Sequence, residues 1–222
     1  MTRSLVICGN FRMMRWKWCI CLVWAGAIGA TVWWQSRYEQ TPGQASHAPK
    51  ECPDALAREP GHGLVVMALH PRCPCSRASL SELEVLASSP HSPPIDIVVL
   101  TCTNNDGPDW TNSANCIRAK AIPGAKLIVD TGGRIASSLG MKTSGHVVAY
   151  DDAGRLVLTG GITPSRGQIG PNVGLRMLSQ LGKLQTQDGR PTSEPTPLVT
   201  PVYGCELVSA ESCDAACEEE RP

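Results

Sequence analysis

Apolar and polar positions alternate in blocks along this 222-residue chain, and the blocks predict an order of elements. Trp18 to Trp34 is uncharged and apolar. Residues 35–60 are polar and proline-bearing, as in Thr41-Pro42-Gly43 and Glu59-Pro60, and read as a linker. Leu64–Leu69 is a continuous apolar run, the signal of a buried strand. Leu80, Leu83 and Leu86 recur at helical spacing and predict a helix over 75–88. Ile95–Leu100 predicts a second strand, 103–110 a polar loop, Thr111–Lys120 a helix and Lys126–Asp130 a third strand. Ile135–Met141 reads as a short helix. His146–Tyr150 and Arg155–Thr159 read as a hairpin turned by Asp151-Asp152-Ala153-Gly154. Val173–Leu184 is a last helix. Beyond about 185 the prolines multiply (Pro191, Pro195, Pro197, Pro201), which predicts irregular structure tied back, if at all, through Cys205.

That order predicts an α/β fold in which one mixed sheet, part parallel and part hairpin, is flanked by helices. The expected divisions are 1–15, a transmembrane helix over 16–34, the linker 35–60, a folded domain 61–184 and a tail 185–222. As a helix, Trp18–Trp34 spans about 25 Å, short but sufficient for a bilayer core. Trp16/Trp18 and Trp33/Trp34 mark its interfaces. Arg3, Arg12, Arg15 and Lys17 precede it, which puts the N-terminus in the cytoplasm and the domain outside, in the periplasm. The alternative is a signal peptide cut near Ala25-Gly26-Ala27; tryptophans running on to position 34 favour an uncleaved anchor touching membrane lipid.

Composition adds two constraints. Residues 1–34 take four of the 20 Lys and Arg and none of the 20 acids, so the remainder carries a net charge of −4. That offers no basic face for nucleic acid. Five of six tryptophans lie within 16–34, so the domain must build its core from aliphatic side chains. Of eleven cysteines, eight fall beyond the apolar segment: Cys52, Cys73, Cys75, Cys102, Cys116, Cys205, Cys213 and Cys217. In an oxidising compartment such a set suggests disulfides, with on the order of 100 possible pairings. Cys102 and Cys116 are a candidate local pair. Cys213-Asp-Ala-Ala-Cys217 carries only the weak i, i+4 spacing of a soft-metal or disulfide pair.

The chemistry concentrates where the first strand ends, at His70-Pro71-Arg72-Cys73-Pro74-Cys75-Ser76-Arg77. Free N–H groups and the positive dipole end at a helix start favour thiolate over thiol. Arg72 and Arg77 add positive charge, and His70 contributes if it faces the site. The bland alternative makes Cys73 and Cys75 ordinary structural cysteines.

The element order, the cysteine turn after the first strand and the late hairpin resemble the thioredoxin fold, best matched by membrane-anchored TlpA-type thiol–disulfide oxidoreductases. The segments at 73–79, Thr143-Ser-Gly-His146, Gly160-Gly-Ile-Thr163 and Tyr203-Gly-Cys205 resemble the thioredoxin-like RedB group. The resemblance implies that Cys73 is the nucleophile toward protein thiols or disulfides, as a reductase or isomerase. It puts Ser76 in the place of the usual second cysteine and Gly145, after Ser144, in the place of a cis-proline that shapes the substrate groove and blocks metal. Three routes for resolving a mixed disulfide stay open: Cys75, an outside thiol, or Cys205. Positions i and i+2 do not share a helix face, so Cys75 is poorly placed to attack Cys73, and Ser76 has no thiol. His146 is a candidate to face Cys73 or simply the start of an edge strand, and Arg166 is expected at the surface. A rival class is a Cu(I) module held by Cys73 and Cys75, joined by Cys205 or His146. A peroxidase is disfavoured because His70 stands where that family has threonine. No glycine loop matches a nucleotide site, so no cofactor is expected.

Overall fold

The computed structural model describes residues 4–56, 58–90, 92–103, 111–181 and 196–207, with side chains from Trp16 onward. Its contacts divide into two units, 1–40 and 41–222. The first is one helix, α1 (Ser4–Gln40), which starts before the expected anchor and runs past its end at Trp34 to Gln40. Its Trp16–Gln40 part is long and apolar enough to cross a membrane. The expected linker therefore begins as helix.

The second unit holds β1 (Gly63–Leu69), α2 (Ser76–Ser88), β2 (Ile95–Thr103), α3 (Ala114–Ala121), β3 (Ala125–Thr131), α4 (Arg134–Ser138), β4 (Val147–Tyr150), β5 (Leu156–Gly160), α5 (Val173–Leu178) and β6 (Leu198–Val199). The sheet order is β3-β2-β1-β4-β5-β6. β1 pairs parallel with β2 and antiparallel with β4, which explains its unbroken apolar run: every residue from Leu64 to Leu69 is fully buried. A central strand with both faces covered has no polar side to show. β3 joins β2 in parallel, and β4 and β5 form the expected hairpin.

Strand alternation divides the core in two. Val65, Met67 and Leu69 face Leu80, Leu83 and Leu86 of α2, Cys116 and Ala119 of α3, and Leu178 of α5. Leu64, Val66 and Ala68 face the other way, toward Ala136 of α4, Leu139, Met141 and Leu207. Each fully buried Leu or Val contributes about 1.5–3 kcal/mol.

Three expectations are corrected here. Residues 41–56 are no free linker: Ala48 and Leu56 are buried in the second cluster, Ala45 bridges Met141 and Glu51 bridges Arg155. The tail is not irregular throughout. Leu198 packs on the first cluster, and β6 adds to the sheet edge with Leu198 opposite Leu158. Val202 and Leu207 are buried, so three apolar side chains anchor a segment whose prolines suggested none. Cys102 and Cys116 cannot pair: Cys102 lies in one cluster and Cys116 in the other, on opposite faces of the sheet. Residues 104–110, 182–195 and 208–222, with Cys213 and Cys217, lie outside the described residues.

Candidate functional site

The turn after β1 is built by backbone bonds. The Cys73 N–H donates to the His70 carbonyl at 3.1 Å, and Ala78 N–H to the Cys75 carbonyl at 3.2 Å as α2 begins. Cys75 is the residue before the first helical position, Ser76 the first inside. Cys73 is buried, 1% exposed, and Cys75 half-buried.

What covers Cys73 is the tail. The Sγ of Cys205 stands 2.9 Å from the Sγ of Cys73, and the Cys205 N–H donates to the same sulfur at 3.4 Å. The tail is held there by an antiparallel set of bonds with residues 142–144: Ser144 N–H to Cys205 O at 2.8 Å, Leu207 N–H to Lys142 O at 2.9 Å, and a bridge between Thr143 and Glu206. Gly43 N–H adds a bond to Val202 O at 2.7 Å. Gly204 makes this approach possible, since a Cβ there would lie 1.8 Å from the Ser144 carbonyl oxygen.

Ser144 ties the turn to the tail. Its Oγ accepts the His70 N–H at 2.7 Å and lies 2.6 Å from the buried Oγ of Ser76. Where Ser76 gives its hydroxyl proton to Cys73, its oxygen is left to accept from Ser144. Burial works against a thiolate on Cys73, yet the donors from Cys205 and Ser76 outweigh it and set its pKa below the ordinary thiol value. Burial and the neighbouring Cys73 push Cys205 up to about 12, against the pull of Arg166. Of the two thiols Cys73 therefore loses its proton first, and the Cys205 S–H is then the donor to the Cys73 sulfur. Cys75 is raised by burial and by the charge of Cys73, again opposed by Arg166.

Arg166 is thus no idle surface residue. Its guanidinium donates to the Gly204 carbonyl and, at 3.2 Å, to that of Thr41, beside Cys75 and Cys205. Asn115, at the start of α3, donates to the Cys73 carbonyl at 2.8 Å. Neither Asn115 nor the Ser144 hydroxyl carries a local sequence signal that would have found it. Both act across more than 40 residues of sequence.

Two candidates stand apart from the sulfur. His146 is fully buried, with Nε2 2.9 Å from Thr159 Oγ1 and Nδ1 without a partner among the described residues. It shares the sheet face of Val148, opposite α2, so alternation turns it away from Cys73. Burial drops its pKa to about 4. Gly145, at φ +88°, bonds Ala68 O through its N–H and lies against Ser79 of α2. Its part is to bend the chain behind the site. His70 does not aid the thiolate either: its Nδ1 accepts the Arg72 N–H at 3.3 Å, and burial and Arg72 keep it neutral.

On its other flank the turn borders a cleft of about 430 Å³ lined by Arg72, Cys73, Arg77 and residues 112–115. None of the described tail residues lines it.

No protein-family model and no curated protein matches the sequence. Among solved structures, the chain is similar to a hypothetical protein from Sinorhizobium meliloti 1021, at 17% identity and TM-score 0.52, covering 77% of this chain and 97% of that one. It is also similar to StoA from Bacillus subtilis, at 14% identity and TM-score 0.41, covering 64% and 98%. A third is a putative thioredoxin from Neisseria meningitidis, at 11% identity and TM-score 0.42, covering 59% and 79%. The fold is the mixed α/β sheet with flanking helices that the element order led one to expect.

Proposed function

We propose that this protein is a membrane-anchored, extracytoplasmic thiol–disulfide oxidoreductase in which Cys73 is the nucleophile and Cys205 resolves. The observation that carries the reading is the 2.9 Å approach of these two sulfurs, with the lower pKa on Cys73. The Cys73 thiolate attacks one sulfur of a protein disulfide, forming a mixed disulfide and expelling the other sulfur as thiolate. The expelled thiolate takes the Cys205 proton. Cys205 then attacks Cys73 Sγ, closing a Cys73–Cys205 disulfide and releasing the second substrate thiolate. Two electrons pass from the pair to the substrate.

Displacement at sulfur runs in line, so the substrate sulfur belongs across Cys73 from Cys205. The cleft by Arg72 and Arg77, which none of the described tail residues lines, gives it an approach. A resolving thiol within the chain favours the reductase direction over isomerisation. Anchoring through α1 follows its length and apolarity, and the outside location follows the basic residues before it.

The test uses the full chain in detergent micelles with a disulfide-bonded model protein as substrate. Cys73→Ser abolishes reduction. Cys205→Ser permits the first attack and accumulates a mixed disulfide on Cys73, identified by mass spectrometry. Full activity in Cys73→Ser overturns the reading.

A further inference from the structure

Cys75 has no part in that exchange, yet it is no bystander in space. The Sγ atoms of Cys73, Cys75 and Cys205 all lie within 4.8 Å of one another. Two come from one turn and the third from a tail 130 residues later, so no spacing in the sequence joins all three.

We propose that the reduced protein binds one Cu(I) ion through Cys73, Cys75 and Cys205. Metal–thiolate bonds of about 2.3 Å in a trigonal plane put sulfurs about 4 Å apart. The three edges already lie within 4.8 Å, and the Cys73–Cys205 edge, at 2.9 Å, has to open by about 1 Å. The donors are all soft sulfur, and His146, the imidazole the sequence offered, is held by Thr159 on the opposite face. Such a set selects a soft monovalent ion over the hard cations that prefer oxygen.

Charge balance fits as well. Three thiolates and one Cu(I) leave an excess of two negative charges. Arg166 lies beside Cys75 and Cys205, its guanidinium fixed by the Gly204 and Thr41 carbonyls. Ser76 and the Cys205 N–H stabilise the charge on Cys73. Binding and the Cys73–Cys205 disulfide exclude each other, because the disulfide removes two of three ligands. The metal site therefore exists in the reduced state alone.

The experiment titrates Cu(I) into the reduced full chain in detergent under anaerobic conditions, against a chromogenic Cu(I) chelator. Other thiols, Cys19 and Cys21 among them, can bind copper, so a variant with Cys73, Cys75 and Cys205 all changed to serine sets the baseline. The wild type is expected to take up one ion more than that baseline, with X-ray absorption reporting three sulfur neighbours. Cys75→Ser, shown folded by circular dichroism, is expected to lower the affinity at that site at least 100-fold. Uptake equal to the baseline, or an unchanged affinity in Cys75→Ser, overturns the proposal. Disulfide exchange by the metal-free wild type, measured on the same preparation, tests the proposed function separately: exchange without copper uptake sinks the metal site alone.

Discussion

At the turn, the Ser144 hydroxyl takes the His70 N–H and meets Ser76, and Ser76 in turn supports the charge on Cys73. In the proposed reading Ser76 is therefore a positioning residue for the thiolate, although it stands where the resemblance puts a second cysteine. The largest helper is the Cys205 thiol. Cys205→Ala removes that donor, so the pH midpoint for alkylation of Cys73 should rise toward the ordinary thiol value. An unchanged midpoint, followed by pulsed alkylation and mass spectrometry, would show that the tail does not tune the nucleophile. The sequence named Cys73, Cys75, Ser76 and Cys205 as candidates because thiols and helix starts are visible residue by residue. It could not name Ser144 or Asn115, since an Asn or Ser becomes functional only by what folds against it.

At the scale of elements, the tail is a short strand and an extended segment that pairs with residues 142–144. Its seat depends on close backbone approach at Gly204. Gly204→Ala pushes a methyl group into the Ser144 carbonyl, so the segment must lift. The Cys73–Cys205 disulfide should then form about tenfold more slowly in a defined thiol–disulfide buffer, while Cys73 becomes more open to an added alkylating reagent. Unaltered rates of both would mean that the tail is not held by this contact. β1, α2 and β2 were legible from apolar runs and heptad-like spacing because local pattern decides which side of an element is buried. The tail was not legible, because its prolines speak of turns while its anchors, Leu198, Val202 and Leu207, are too sparse to show a period.

Across the whole molecule, two apolar layers enclose a sheet, and His146 is sealed in as a neutral ring. Its folded pKa of about 4 lies below the unfolded value, so the unfolded chain binds the extra proton first as pH falls. The neutral ring costs nothing above about pH 6.5, and stability is lost progressively between there and about pH 4. The shift corresponds to up to about 3 kcal/mol. Denaturant midpoints at pH 7 and pH 4.5 should differ more in the wild type than in His146→Phe. An equal difference in both would assign the acid sensitivity to other groups.

The sequence alone determined the layered α/β order, the apolar N-terminal helix and the cysteine turn at the start of α2. Each follows from residues near one another, where periodicity, proline and helix-end electrostatics act locally. Only the tertiary structure decided which thiol meets Cys73. Cys75 lies nearby and Ser76 has no sulfur, but the thiol that approaches Cys73 to 2.9 Å comes from the far end of the chain. Sheet alternation also decided which candidates are out of reach, sending His146 to the opposite face and parting Cys102 from Cys116.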